Sequence, residues 1–228
     1  MKSMKDKPSK IGFILVRLAE ILELFSYFNL VPAVLPLLIF GTEEWKTSLY
    51  FIIQGTAMLL LALVIKHFHK EVKEEIPLHC NIVSIVLAWI LIPLLSCFVY
   101  YMNGLPILDA YFESVSAWTT TGFTIYESVG GLPHQIIFWR SFEQWMGGLG
   151  IVAFVFFLLD QSTNPFLFSK AEGRSDFIKP TMRGTLKTIL KIYAALTFIG
   201  IAFLSFTGMD LFTSLNMAMT AVPTGGLD

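Results

Sequence analysis

The amino-acid sequence predicts an all-α polytopic membrane protein with about five transmembrane helices and two re-entrant pore loops, organised as helix–pore loop–helix repeats. Three observations predict this class. Hydrophobic residues make up 55% of the 228 residues and charged residues only 14%, whereas a soluble domain carries roughly 25% charged residues. Five apolar runs approach the ~20 residues that a helix needs to cross the hydrocarbon core. Two shorter apolar segments each lead into a Thr-Gly pair.

The five predicted spans are bounded by charged residues or by Gly, Asn and Pro, which end helices. They comprise residues 21–40, 47–65, 81–101, 136–159 and 186–206. We therefore expect three parts. They are an N-terminal pair of transmembrane helices (1–75), a first helix–pore loop–helix repeat (76–165), and a cytoplasmic joint with an incomplete second repeat that ends at its filter (166–228).

Lysine and arginine cluster in three blocks, at residues 2–17, 66–73 and 170–191, within a net charge of −1 that excludes the basic balance of a nucleic-acid-binding protein. Basic loops stay on the cytoplasmic side, so we expect a multi-pass protein of the cell membrane with its N-terminus in the cytoplasm. The chain must then cross an odd number of times between the third span and the third block. This parity predicts that the short segment at 109–118 enters the membrane from outside and returns. The alternative is an amphipathic helix on the membrane surface.

The short segment leads into a pattern that is typical of a cation filter. Residues 109–118 predict a helix with Asp109 as its N-cap, followed at once by the run from Thr119 to Phe123. The helix directs the negative end of its dipole at the ion, and the run presents backbone carbonyls that replace the hydration shell of the ion. Gly122 supplies backbone dihedrals that a Cβ would oppose. Taken alone, a Thr-rich run before Gly is also an ordinary helix C-cap.

The same order of features occurs a second time. After the fifth span, Asp210 precedes a short apolar segment and then the sequence Val-Pro-Thr-Gly-Gly at residues 222–226. Matching Asp109 to Asp210 gives an offset of 101 residues, whereas matching Gly122 to Gly225 gives 103. The sequence thus predicts an internal repeat whose register is loose.

Three stretches resemble the Trk/Ktr/HKT superfamily of potassium transporters, in particular its TrkH-type membrane subunits. They are the pore loop at 117–124, the start of the following helix at 139–150 and the joint at 180–193. The two helices before the first repeat resemble the N-terminal pair of TrkH-type members. In that family, four helix–pore loop–helix repeats in one polypeptide surround a single ion path. One repeat and the start of another are present here, which predicts a fragment or a chain that another polypeptide completes.

The resemblance implies potassium uptake through a backbone-carbonyl filter, with K⁺ as the permeating ion, no other metal, no cofactor and no enzymatic activity. It also implies a homodimer and a cytoplasmic nucleotide-binding regulatory subunit of the TrkA or KtrA type. The predicted ion-binding residues, which act through their backbone carbonyls, are Thr120, Thr121, Gly122, Phe123, Thr224, Gly225 and Gly226.

Three further residues are predicted to support the filter: Asp109, Arg140 and Glu143. Arg140 and Glu143 lie three residues apart near the outer end of the fourth span, where ionisable groups are costly unless partnered. We hypothesise that they brace the filter loop. The alternative for Arg140 is snorkelling toward lipid headgroups. Three glycines, Gly147, Gly148 and Gly150, are predicted to permit close helix packing, the alternative being a bend near the pore.

Other functions remain open at this stage. A sodium-permeable relative of the same superfamily is one, although by the resemblance a glycine at Gly122 and Gly225, in place of serine, favours potassium. The others are a non-conducting membrane scaffold and a membrane-embedded enzyme, which would draw on Asp109, Glu113 and Arg140.

Overall fold

The computed structural model describes residues 9–41, 44–69, 78–162 and 182–227. Within these ranges the chain forms helices and no strand. The helices are α1 (Lys10–Phe28), α2 (Leu30–Phe40), α3 (Trp45–Phe68), α4 (Leu78–Met102), α5 (Ile107–Trp118), α6 (His134–Ser162), α7 (Met182–Phe206) and α8 (Leu211–Ala221). The first part of the predicted cytoplasmic joint lies outside the described residues.

Four stretches of the described residues are long and apolar enough to cross a membrane: Lys10–Phe40, Trp45–Phe68, Leu78–Met102 and Leu186–Phe206. Their outward side chains are apolar as well, since Leu38 is 78% and Phe206 91% exposed. Such surfaces suit lipid or protein rather than water. The helical, polytopic membrane class predicted from the sequence is therefore confirmed.

The predicted fourth span corresponds to α6, which has 29 residues and is about 43 Å long at ~1.5 Å per residue. It is not among the four apolar stretches of the described chain. Its first half carries Arg140, Glu143 and Gln144, all of them buried. The side of α6 that carries these polar residues is therefore enclosed by protein.

The start predicted for the first span was wrong. The helical stretch begins at Lys10 rather than near residue 21, and it is interrupted once, at Asn29. Two ion pairs allow the earlier start: Arg17 pairs with Glu20 at 2.5 Å, and Lys66 of α3 pairs with Glu23. The interruption follows from Pro32, because proline has no N–H to donate to the carbonyl four residues earlier and its ring crowds that carbonyl.

The chain divides into two compact units, and α5 and α6 contribute to both. The first unit contains α1 to α4, with α5 up to Ser116 and the segment Phe123–Arg140. In it α1 packs against α3 and α4, around Leu22, Phe51 and Met58, each at most 1% exposed. The second unit contains Ala117–Gly122 and the residues from Ser141 onward. In it α7 packs against α8.

A repeat of 104 residues relates α4 and α5 to α7 and α8. The first helices of the two pairs end at Met102 and Phe206, and the second helices start at Ile107 and Leu211. The hydrogen bonds that close the connecting turns share this offset: the Leu105 N–H donates to the Tyr100 carbonyl, and the Met209 N–H to the Leu204 carbonyl. The register is therefore exact over both helices and the turn between them, and the looser offsets of 101 and 103 were wrong.

The two aspartates that the sequence pattern had matched occupy different positions. Asp210 is the N-cap of α8, and its carboxylate accepts a hydrogen bond from the Thr213 N–H at 3.0 Å. The N-cap role expected for Asp109 was wrong, because α5 begins at Ile107 and Asp109 lies within its first turn. Pro106 precedes α5, and its carbonyl accepts the Ala110 N–H at 2.8 Å. Proline suits a helix start, where its missing N–H has no partner to lose.

Candidate functional site

The helices α5 and α8 are each followed by a threonine with left-handed backbone. Thr120 has a φ of 55° and Thr224 a φ of 60°, and the glycines two residues later, Gly122 and Gly226, have φ values of 80° and 64°. Each threonine N–H donates back to its helix, to the Ala117 carbonyl at 3.0 Å and to the Ala221 carbonyl at 2.9 Å respectively. A β-branched residue at positive φ is a strained outlier, on the order of 1–3 kcal/mol, that persists only where its surroundings impose it.

The alternation of left-handed residues decides how the carbonyls point. Positive φ occurs at residues 120 and 122 but not at Thr121 between them, and at residues 224 and 226 but not at Gly225. When the sign of φ alternates along a short strand, successive carbonyls turn toward the same side. This is the arrangement that a carbonyl-lined cation site needs. Thr121 and Thr224 are exposed, and Phe123 is 68% exposed.

The two Thr-Gly segments contact each other through their backbones. A Cβ built on Gly122 would lie 1.8 Å from the carbonyl oxygen of Gly225. No side chain is accommodated there, and the positive φ disfavours one in any case. Gly122 is thus required both by its conformation and by the approach of the second segment.

Two glycines allow α6 to pack closely against other parts of the second unit. A Cβ on Gly147 would lie 2.0 Å from the Trp118 carbonyl oxygen, at the end of α5. A Cβ on Gly148 would lie 2.4 Å from Cβ of Pro223 and 2.6 Å from the Tyr193 hydroxyl. The close packing predicted for these glycines is confirmed, and the elements that approach them are the pore-loop segments and α7.

Glu143 holds the end of α5. Its Oε1 accepts a hydrogen bond from the Trp118 indole Nε1 at 2.9 Å, and the glutamate is fully buried. Glu143 therefore fixes Trp118, the last residue of α5.

Arg140 has a different partner, Glu113 of α5. The guanidinium Nε donates to Glu113 Oε1 at 2.7 Å, and both side chains are at most 1% exposed. Glu113 also accepts the Ile125 N–H at 2.9 Å and the Thr124 hydroxyl at 3.0 Å. Arg140 Nη2 donates to the same hydroxyl at 2.9 Å. We call Glu113, Thr124, Ile125, Tyr126 and Arg140 the carboxylate cluster, and it anchors the chain that follows Phe123.

Tyr126 covers the carboxylate cluster. The Arg140 guanidinium lies 5.4 Å from the centre of the tyrosine ring, within the range of a cation–π contact. Burial raises the pKa of Tyr126 to about 12, with a smaller contribution from the Glu113 charge and an opposing one from Arg140. The phenol therefore stays neutral, and no new negative charge arises beside Glu113 at physiological pH.

Two residues to which the sequence analysis gave no supporting role hold the loops after α5 and α8. Glu113 had been considered only as a group for an enzyme, and Gln144 not at all. The sequence contains a signal for Glu113. The small residues Ala110, Ser114 and Ala117 lie beside it at helical spacing, and together they define a buried face of α5. Gln144, whose Oε1 accepts the Leu227 N–H at 3.1 Å, had no such local signal.

Asp109 is half-buried on the first turn of α5. There its carboxylate lies near the positive end of the helix dipole, which favours it. No group of three His, Cys, Asp or Glu side chains converges on one point within the described part of the chain.

Comparisons with known proteins agree on the family. The sequence profile of the TrkH family, described as cation transport proteins, matches residues 48–228. An uncharacterised cation transporter of Methanocaldococcus jannaschii is 36% identical over 217 residues, which cover 94% of this chain and 44% of the relative. The potassium uptake protein TrkI of Halomonas elongata is 30% identical, covering 92% and 44% respectively.

TrkH of Escherichia coli, a potassium uptake protein, is 27% identical over 89% of this chain and 43% of its own length. The crystal structure of the potassium transporter TrkH from Vibrio parahaemolyticus superposes with a TM-score of 0.74 at 24% identity, covering 92% of this chain and 42% of that one. At this identity the structural likeness shows the fold alone. The chain spans less than half the length of these relatives, and it belongs to the TrkH family of cation transport proteins.

Proposed function

We propose that this chain supplies two backbone-carbonyl segments of a potassium filter, and that the complete protein takes up K⁺ across the cell membrane. One observation carries the proposal: left-handed Thr120 and Thr224 are followed by left-handed Gly122 and Gly226 at an exact offset of 104 residues. An ordinary helix C-cap needs one left-handed residue, and that residue is usually glycine. Two strained threonines in the same place support a function that requires this backbone.

The proposed filter residues are Thr120 to Phe123 in the first segment and Thr224 to Gly226 in the second. Both follow helices of 12 and 11 residues, which at roughly 18 Å are too short to cross a ~30 Å core. We therefore propose that α5 and α8 are re-entrant and direct the negative ends of their dipoles at the ion. The 104-residue repeat also supports the proposed division of the chain at residues 1–75, 76–165 and 166–228.

We further propose that Arg140, Glu143 and Asp109 support the filter in separate ways. Arg140 acts through Glu113 on residues 124 and 125, and Glu143 acts on Trp118. Asp109 favours the start of the pore helix electrostatically. Snorkelling toward headgroups does not fit an arginine that is 1% exposed and paired with a carboxylate.

The central experiment measures rubidium uptake in a potassium-uptake-deficient cell that expresses the complete protein. Gly122→Ala is expected to abolish uptake, because its Cβ would lie 1.8 Å from the Gly225 carbonyl oxygen. Gly104→Ala is the matched control: Gly104 also has a positive φ, of 105°, but a Cβ there meets nothing within 4 Å. Undiminished uptake by Gly122→Ala would defeat the filter proposal, and absence of uptake by wild type would favour a non-conducting scaffold.

The choice of ion is tested in the same cells by adding sodium in excess. A potassium filter keeps its rubidium uptake under this competition, whereas the uptake of a sodium-permeable relative falls. Glycine at residue 122 and at its counterpart in the 104-residue register, residue 226, in place of the serine that the resemblance associates with sodium, supports potassium.

The partners and orientation follow from the family and the charge pattern. We propose a homodimer with a cytoplasmic nucleotide-binding subunit of the TrkA or KtrA type, and further repeats that complete the ion path. Relatives more than twice as long support the latter. We also propose a cytoplasmic N-terminus. A cysteine introduced at Ser3 should resist impermeant thiol reagents in intact cells, and labelling from outside would reverse the topology.

A further inference from the structure

We propose that Gln144 is the positioning residue of the second filter segment, and that its neutral amide contributes to the selectivity of the pore for K⁺ over Na⁺. The inference rests on the proposed function and extends it to a residue of α6. Gln144 is fully buried. Its contacts are with the residues directly after Thr224.

The orientation of the Gln144 amide is determined by its partner. The Leu227 N–H lies 3.1 Å from Gln144 Oε1, and a backbone N–H can only donate. The oxygen must therefore face Leu227. The rest of the amide lies against Gly225, since a Cβ on Gly225 would be 2.2 Å from both Cδ and Nε2 of Gln144. Gln144 thus contacts the filter segment at residues 225 and 227, and it leaves room only for glycine at residue 225.

The equivalent residue of the first segment is held differently. Phe123 is the counterpart of Leu227 at an offset of 104, and its carbonyl accepts a hydrogen bond from the Ser116 hydroxyl of its own pore helix at 2.5 Å. At Leu227 the bonded group is the N–H, and its acceptor is Gln144 of α6, which lies outside the pore helix.

The neutral amide matters for an ion site. Gln144 positions Leu227 as a carboxylate acceptor would, but without adding a charge beside a filter that recognises ions by carbonyl dipoles. A buried carboxylate there would raise the local attraction for any cation and so reduce the discrimination by geometry. We therefore expect that two different substitutions of Gln144 can separate the loss of the hydrogen-bond acceptor from the gain of a charge.

The test compares Gln144→Leu and Gln144→Glu with Gln135→Leu, in the complete protein. Gln135 is a matched control, because it is a fully buried glutamine of the same helix whose Nε2 donates to the Glu44 carbonyl at 3.2 Å and to the Ser48 hydroxyl at 3.1 Å. Two quantities are measured: the ratio of rubidium to sodium uptake, and amide hydrogen exchange in the peptide that contains Leu227.

Gln144→Leu should lower the uptake ratio and accelerate exchange at Leu227, each by roughly tenfold, the equivalent of one lost hydrogen bond. Gln144→Glu should keep the slow exchange, since it retains the acceptor, while the uptake ratio still falls. Gln135→Leu should lower thermal stability without changing either quantity.

Unchanged exchange at Leu227 in Gln144→Leu would overturn the positioning role. An equal fall of the uptake ratio in Gln135→Leu would show a general structural effect and overturn it too. If wild type transports no rubidium, the proposed function fails and the selectivity role fails with it. The exchange measurement would still decide whether Gln144 positions Leu227.

Discussion

The loop after α5 and the loop after α8 place their left-handed residues at the same steps, Thr120 and Gly122 in one and Thr224 and Gly226 in the other. The side chains that hold them differ. A buried ion pair, Glu113 with Arg140, anchors the chain after the first run, whereas the position equivalent to Glu113 is Met217. The second run is held by the neutral amide of Gln144.

The repeat thus preserves the backbone conformation of the two loops, whereas the side chains that anchor the loops differ. A filter constrains the directions of its carbonyls, and many side-chain arrangements can impose the same dihedrals. The first loop depends on charges that must remain paired, because an uncompensated buried charge is costly. The second loop depends on shape and one neutral hydrogen bond. The two loops should therefore respond differently to substitution.

The largest expected effect is on stability, when the buried ion pair of Glu113 and Arg140 is broken. Arg140→Leu removes one partner of a buried pair and leaves Glu113 without its guanidinium, which should cost about 3–5 kcal/mol of unfolding free energy. Thermal unfolding of the purified protein in detergent measures it. The double variant Glu113→Leu with Arg140→Leu should recover part of the loss. A double variant no more stable than Arg140→Leu would show that the anchor does not depend on charge pairing.

A smaller effect is expected at Gly226, because the space around it is open, whereas Gly122 lies against the second segment. Gly226→Ala adds a Cβ at a φ of 64° that meets nothing within 4 Å, so only backbone strain of about 1–2 kcal/mol opposes it. Most rubidium uptake should survive, whereas Gly122→Ala should abolish it. Equal loss of uptake in both variants would mean that strain alone, and not the contact with Gly225, makes Gly122 necessary.

Replacing either left-handed threonine by glycine should give a small gain in stability. Thr120→Gly and Thr224→Gly each relieve a threonine held at positive φ, and glycine is the residue that helix ends prefer there. Each variant should be more stable than wild type by up to about 1 kcal/mol, after the entropy of glycine in the unfolded chain is counted. Thermal unfolding measures both, and destabilisation of either would show that the hydroxyl or methyl group of that threonine makes a contact worth more than the strain.

The smallest effect concerns the starts of the pore helices. Hydrogen bonds from Thr213 lower the pKa of Asp210 below its usual value of 3.8, so its contribution to stability is present above that value and is lost as the pH falls through the folded pKa. Asp210→Ala should lower the melting temperature slightly at pH ~7, and the difference should vanish near pH ~2. Asp109→Ala, which removes no N-cap, is the control. A difference that persists at low pH would assign the effect to packing.

Much of the fold was predictable because membrane spans are encoded locally. Run length and the placement of charge identified the helices around residues 47–65, 81–101 and 186–206 closely. The prediction for the first span was wrong at its start, because charged residues before residue 21 were taken as its boundary, although Arg17 and Glu20 pair with each other. The N-cap at Asp109 failed because Pro106 starts α5 earlier.

The sequence by itself determined the membrane class, the order of helices and loops, and the two Thr-Gly runs, since each depends on neighbouring residues. Only the tertiary structure decided the exact 104-residue register, the pairing of Arg140 with Glu113 and the contact of Gln144 with Leu227. Those contacts join residues 27 and 83 positions apart. No local pattern specifies them, because they depend on which helix faces are brought together when the chain packs.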